Sequence, residues 1–253
     1  MYVANVDNTD SKFSIHINWL KSDGAFKFDN NGKPNVIKIT YEGVLKSKGV
    51  VYGDNGNLNT ATLFVLPNGS TTRAQVGNPS ETKAVTYSGE LFKYTTENGV
   101  KKPLAGAEFT ITRAGETAPL AFYPSKAYAG VYYLATDENW NSEHVDNSDP
   151  SKKESMKVTT LVTPTDGMII TRGLAGGEYT ITETKAPGGY NKMTASIKMP
   201  LEQGGNPTAG VNVTDVNKTL AADGSPLSTP VAFQNVHVKE IENNKGTVLP
   251  ETG

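Results

Sequence analysis

The sequence predicts an all-β protein built from β-sandwich domains. Glycine and proline are frequent, with 25 and 14 residues, and both residue types interrupt regular structure and begin turns. Between the turns, apolar and polar residues alternate over short runs, which is the period of a half-buried strand. Long stretches with the three- and four-residue spacing of amphipathic helices are rare, so strands joined by turns are favoured over helices.

Composition excludes several classes of function. A chain of 253 residues is long enough for two domains, each with its own core. The net charge of -2 provides no basic surface for nucleic acid or anionic lipid. Because the chain has no cysteine, neither a disulfide nor a thiol nucleophile is available, and another covalent cross-link is worth seeking. We expect no signal peptide and no membrane span, since no apolar run approaches about 18 residues.

The first domain is predicted to span residues 1–82. Alternating runs at 13–17, 36–41 and 60–66 predict three strands, and turn-forming residues separate them. Residues 67–82 are polar and rich in turn formers, so we expect a loop or linker there, with the domain boundary near residue 83.

The second domain is predicted over residues 83–240, and residues 241–253 form a tail. A polar region at about 115–160 interrupts it and is expected to be a surface insertion. This insertion carries Trp140, a candidate ligand contact, and a charged run at 151–157 that fits either a short helix or a solvated surface. The other strands are predicted at 83–94, 107–112, 168–172, 178–184, 194–199, 211–213 and 230–239.

Three predicted strands each direct one polar side chain towards the apolar side. Alternate residues of a strand share a face, and Lys93, Glu183 and Asn235 each lie two positions after a large apolar residue. Taken singly, they could be a snorkelling surface lysine, a solvent-facing acid and an amide near a turn. A buried charge without a partner costs several kcal/mol, so three such groups in one core are tolerable only if they meet.

The segments around these residues resemble the CnaB-type domains of Gram-positive pilins and adhesins. The matching strings are GELFK at 89–93, PLAGAEF at 103–109 and GLAGGEYTITETKAPGGY at 173–190, and the last is similar to the E-box of that family. The resemblance covers roughly 85–240 apart from the insertion. It implies tandem Ig-like β-sandwich domains, the second of CnaB type, and a spontaneous isopeptide bond.

The resemblance implies that Lys93 is the nucleophile of this bond, Asn235 the acceptor and Glu183 the catalytic acid. Burial disfavours charge, so the amine is expected to be neutral and the carboxyl protonated. Glu183 would then bind the amide oxygen and relay protons while Lys93 attacks and ammonia leaves. The reaction occurs once per chain, so the protein is not expected to be an enzyme. We expect no cofactor, and no metal because the three histidines lack ligand spacing.

The last five residues resemble the LPxTG signal that sortases cleave between threonine and glycine. They are Leu249, Pro250, Glu251, Thr252 and Gly253. The resemblance implies a pilus subunit, most simply a backbone pilin, outside the cell and anchored to the Gram-positive cell wall. Its implied partners are a pilin-class sortase, neighbouring pilin subunits and peptidoglycan. The apolar span and basic tail that follow such a signal in the family are absent, so we expect a trimmed or processed chain.

The sequence leaves three further assignments open. Residues 37–43 and 56–63 resemble the later part of a pilin middle domain, in which Asn68 or Asn59 is either an isopeptide acceptor or a plain turn asparagine. Lys126 follows a Tyr-Pro-Ser string similar to the lysine motif that joins pilin subunits, or is an ordinary surface lysine. The alternative function is a wall-anchored adhesin that binds a host matrix protein through the insertion near Trp140.

Overall fold

The computed structural model describes residues 2–7, 12–17, 56–67, 70–202 and 237–246. The chain divides into two compact units, 1–43 and 44–253, while the boundary expected near residue 83 stays a prediction. The predicted all-β class is confirmed. Among the described residues, no helix has the length and apolar character that crossing a membrane requires.

In the first unit the structure describes one antiparallel hairpin. Strand β1 (Tyr2–Asp7) pairs with strand β2 (Lys12–Ile17), and the second of these coincides with the strand predicted at 13–17. The strand predicted at 36–41 lies outside the described residues.

Two ribbons precede the main sandwich. Strand β3 (Asn57–Ala61) pairs with β6 (Ser80–Ala84), and β4 (Phe64–Val65) pairs with β5 (Ala74–Gln75). The strand predicted at 60–66 is therefore divided, and the loop expected at 67–82 contains β5 and part of β6. These strands were missed because β6 is exposed at every position, so it carries none of the apolar alternation by which a half-buried strand is recognised.

The larger sheet of the second unit has six strands and places the first and last strands of the sandwich side by side. Strand β7 lies between β13, which is antiparallel to it, and β16, which is parallel to it, and β8 forms a hairpin with β7. Along the sheet the strands are β10 (Phe122–Pro124), β11 (Val131–Leu134), β13 (Met168–Leu174), β7 (Tyr87–Glu97) and β16 (His237–Glu242), with β8 (Val100–Pro103) beside β7.

The second sheet has four strands and faces the first across the main core. Its order is β12 (Leu161–Val162), β9 (Glu108–Arg113), β14 (Gly177–Lys185) and β15 (Ile197–Leu201). Alternate residues from both sheets fill the space between them, as expected for a sandwich. The core includes Leu91, Phe109, Ile111, Ile169 and Ile181, all almost completely buried.

The region expected to be a surface insertion is part of the sandwich. It supplies β10 and β11 to the larger sheet, and its helix α1 (Asp137–Trp140) contributes to a second core on the outer face of that sheet. Trp140 is only 5% exposed and its ring lies 5.3 Å from that of Tyr123. Trp140 itself is therefore not available as the expected ligand contact, because its ring is packed in this second core. Of the charged run at 151–157, only the first two residues are helical, as part of a 3₁₀ helix at Pro150–Lys152.

A buried carboxyl on this outer face predicts a pH dependence of stability. Glu90 on β7 is 2% exposed, and burial raises its pKa from 4.5 to about 7, although Arg172 opposes the rise. Between these values the folded chain holds a proton that the unfolded chain releases, so the free energy of unfolding should fall as the pH rises from about 4.5 to 7. A rise of that size corresponds to about 3 kcal/mol of folding free energy.

Thermal unfolding across this pH range measures the effect. A Glu90→Gln variant should show a flatter profile than the parent, because its side chain does not titrate. Identical profiles for the two proteins would contradict the assignment of the slope to Glu90.

Candidate functional site

Lys93 lies in the interior of the sandwich, although lysine is among the residues most often found at surfaces. It is 0% exposed, on the face of β7 that carries Leu91. Its backbone is fixed on both sides, since its N–H donates to the carbonyl of Gly167 at 2.8 Å and its carbonyl accepts from Leu104 N at 2.9 Å. Gly167 has a φ of +71°, and a Cβ there would collide with the Lys93 carbonyl, so glycine allows this close approach.

Glu183 enters the same interior from the facing sheet. It lies on β14 on the same face as Tyr179 and Ile181, is 3% exposed, and stands where the pairing with β9 shifts register. Its Oε1 is 3.3 Å from Lys93 Nζ, and its Oε2 accepts a hydrogen bond from Met193 N at 2.7 Å. Both carboxyl oxygens therefore have defined partners.

Asn243 completes the site from the end of β16. Ile241 pairs with Lys93 across the parallel ladder, and Asn243, two residues later, shares its inward face and is 2% exposed. Its N–H donates to the carbonyl of Tyr94 at 2.9 Å. Lys93 Nζ donates to its Oδ1, and its Nδ2 donates to Glu183 Oε1 at 2.9 Å. An amine, an amide and a carboxyl thus contact one another inside the core.

The electrostatics favour a reactive amine. Burial lowers the pKa of Lys93, and the carboxylates of Glu183 and Glu242 oppose this effect. The Phe109 ring, with its centroid 5.9 Å from Nζ, forms part of the apolar surroundings. A lowered pKa increases the fraction of neutral amine, which is the nucleophilic form.

Glu183 contacts the amide nitrogen of Asn243. Its Oε1 accepts from Asn243 Nδ2 and also lies close to the amine, while the contact expected with the amide oxygen of Asn235 lies outside the described residues. A carboxyl between these two nitrogens is within reach of the proton that the amine must lose and of the nitrogen that must gain one. The arrangement can therefore transfer a proton from nucleophile to leaving group.

The other residues singled out in the sequence do not join this cluster. Asn59, on β3, is exposed and its Nδ2 donates to Thr82 Oγ1 at 3.4 Å. Lys126 is exposed in the turn after β10, and its backbone N–H donates to the carbonyl of His144 at 2.9 Å. The residues that lie outside the described part of the chain are Asn235, Asn68 and the five of the sorting signal, 249–253.

Sequence reasoning missed Asn243. A signal was present, since Ile241 and Asn243 continue an alternation on one face, but residues 241–253 were assigned to the tail. The neighbouring Asn244 made the local pattern ambiguous, because either amide could belong to the buried face. The pairing of β16 with β7, which continues to Glu242 opposite Tyr94, places Asn243 inside and leaves Asn244 exposed.

A metal site has no support among the residues that the structure describes, which contain no group of three or more potential acidic, histidine or cysteine ligands. His144 is buried and stacks on Tyr133, with ring centroids 5.0 Å apart.

Comparison with known proteins identifies a family and a similar fold. Residues 91–217 match the SpaA family, described as a prealbumin-like fold domain. No curated protein sequence matches the chain. Among solved structures, the chain is similar in fold to the pilus 2b backbone protein of group B streptococcus, with 23% identity and a TM-score of 0.52 over 97% of this chain and 70% of that one.

Two further solved structures show weaker likeness. GBS52, the minor pilin of Streptococcus agalactiae, has 18% identity and a TM-score of 0.37 over 69% of this chain and 59% of that one. The shaft pilin spaA of Lactobacillus rhamnosus GG has 20% identity and a TM-score of 0.38, with coverage of 68% and 52%. The match therefore spans just over half the length of each of these two proteins.

Proposed function

The chain belongs to the SpaA family of prealbumin-like fold domains, and from that premise we propose that it is a structural subunit of a covalently polymerised pilus on a Gram-positive cell surface. The family match and the fold likeness to a streptococcal backbone pilin support this role, and we take a backbone subunit as the simplest form of it. The single observation that carries the proposal is the contact of Lys93, Asn243 and Glu183 inside the core.

These three residues would form an internal isopeptide bond, with Asn243 as the acceptor in place of Asn235. The neutral Nζ of Lys93 attacks Cγ of Asn243, a bond forms between them, and the bond from Cγ to Nδ2 breaks. Glu183 accepts a proton from Nζ and donates one to Nδ2, which leaves as ammonia. The carboxyl ends in its starting state, so no further reactant is needed.

The position of this bond suits a protein under tension. Lys93 and Asn243 are 150 residues apart in sequence but lie on adjacent parallel strands. A bond between them would carry load from Lys93, within β7, directly to Asn243, just after β16, so that it would bypass the residues between them. Closing a loop of this length stabilises the fold by about 5 kcal/mol on the chain-entropy account of cross-links.

Intact-protein mass spectrometry tests the proposal. The purified, folded chain should be lighter than its sequence mass by one ammonia for this bond, and tryptic mapping should recover the Lys93 and Asn243 peptides as one joined species. A folded chain with the full sequence mass and two separate peptides would rule out the bond.

Polymerisation would use the sorting signal and a lysine of the next subunit. A pilin-class sortase would cleave after Thr252 and join its carbonyl to the amine, and the final acceptor would be peptidoglycan. Lys126 is the candidate lysine, since it is exposed and lies within a turn in which Ser125 Oγ accepts from the N–H groups of Ala127 and Tyr128 at 3.3 Å. A sortase reaction that makes the same ladder of polymers from a Lys126→Ala variant would eliminate it.

A further inference from the structure

The loop that follows β14 contacts the acid of the proposed site and the residues just after its acceptor asparagine. We refer to residues 187–193 as the clip loop. It begins with a turn in which Tyr190 N donates to the carbonyl of Pro187 at 3.1 Å, and Gly189 in this turn has a φ of +83°. The loop then runs beside the chain that leaves β16.

The clip loop pairs with the residues just after Asn243. Asn191 N donates to the carbonyl of Asn244 at 3.0 Å, and Gly246 N donates to the carbonyl of Gly189 at 2.9 Å. Tyr190 and Lys245 form the antiparallel bridge between these two bonds. Since Asn243 N donates to the carbonyl of Tyr94 on β7, the backbone around the amide is held by the larger sheet on one side and by the clip loop on the other.

The same loop also holds the acid. The N–H of Met193 donates to Glu183 Oε2 at 2.7 Å, which leaves Oε1 directed at Asn243 and Lys93. A carboxyl fixed at one oxygen cannot rotate freely, so its other oxygen stays on the two nitrogens. One short segment thereby orients the acid and positions the amide.

The clip loop also bears on which asparagine reacts. Asn243 and Asn244 are adjacent, and successive residues of an extended chain point to opposite sides. A shift of one residue in the register of this segment against β7 would direct Asn244 inward and Asn243 outward. The hydrogen bonds of Asn191 and Gly189 to residues 244 and 246 oppose that shift.

We propose that the clip loop is a positioning element for the lysine–asparagine condensation, which sets the register of the acceptor and aims the acid. This inference rests on the isopeptide bond proposed above. Small errors in the alignment of reacting groups cost large factors in rate, so the loop should affect how fast, and at which residue, the bond forms.

The rate of bond formation tests this proposal on the full chain. Newly synthesised, pulse-labelled protein is sampled over time, and the fraction that has lost ammonia is measured by mass. Met193→Pro and Asn191→Pro each remove one N–H donor, and we expect each to slow linkage by at least about tenfold. Met193→Leu and Asn191→Ala keep the donors and should recover most of the rate.

A control separates positioning from general loss of stability. Thr182→Ala removes the 2.7 Å hydrogen bond between Thr182 Oγ1 and Ser196 Oγ, which joins exposed side chains outside the site. Thermal midpoints of all variants are measured with Lys93→Ala added, so that none can link. If the clip loop positions the reacting groups, the proline variants should slow linkage more than Thr182→Ala does for the same loss of stability. Equal slowing for equal loss of stability would overturn the positioning role.

Peptide mapping gives a second readout that stability alone would not change. The parent should link only Asn243, whereas Asn191→Pro should also yield chains linked at Asn244. Exclusive linkage of Asn243 in that variant would overturn the register role, and a proline variant that links at the parent's rate would overturn the whole inference. A parent chain that never links would instead refute the isopeptide bond itself.

Discussion

An Asn243→Ala variant should carry no internal cross-link and should melt well below the parent protein. Without the amide carbon, Lys93 has no electrophile within reach in the described core, and the exposed Asn244 points away from it. Loss of about 5 kcal/mol of loop closure corresponds to roughly 10 to 20 °C in the midpoint for a domain of this size. Intact mass and differential scanning calorimetry measure the two effects.

Asn235→Ala is the matched control for this experiment. It removes the asparagine that the family resemblance implies as the acceptor and keeps Asn243. We expect the control to lose ammonia and to melt close to the parent. If Asn235→Ala abolished the mass loss while Asn243→Ala retained it, the acceptor assignment would be reversed.

Glu183→Gln should fold but fail to link, with bond formation slowed by about 100-fold to 10,000-fold. Glutamine has nearly the same shape, but it cannot carry a proton from the amine to the leaving nitrogen. The neighbouring carboxylate is among the groups that raise the pKa of Lys93, so its removal should lower the pKa further and leave more neutral amine. A variant with a more neutral amine that still does not react would show that proton transfer is what Glu183 supplies.

Glu178→Gln provides the comparison on the same strand. Glu178 is exposed and pairs with Lys198 at 2.9 Å, at the surface of β14. This variant should link as the parent does, by intact mass after the same growth and purification. If the parent, Glu183→Gln and Glu178→Gln have matching circular dichroism spectra, the difference in linkage between the two variants arises from chemistry at the site and not from misfolding. Efficient linkage in Glu183→Gln would remove Glu183 from the proposed mechanism.

The local alternation of apolar and polar residues was sufficient to predict much of the fold. The alternation along β7 and β14 placed Lys93 and Glu183 on the apolar faces of their strands, and both lie in the interior. Frequent turn formers and short alternating runs predicted the all-β class, which is confirmed. Exposed strands such as β6 were missed because both of their faces are polar.

The insertion shows a second limit of local patterns. Its polar composition predicted a surface loop, but β10 and β11 join the larger sheet and Trp140 packs against Tyr123. The apolar residues that form this second core are few and widely spaced in the chain. Their common face becomes visible only when the strands are paired.

The amino-acid sequence by itself determined the strand-rich class and the inward direction of a lysine and an acid, because side-chain direction along a strand depends only on neighbouring residues. Only the tertiary structure decided which amide meets them. Asn243 is selected by its parallel pairing with a strand 150 residues away and by the contacts of the clip loop. Such long-range register depends on the packing of the whole domain, and no local pattern contains it.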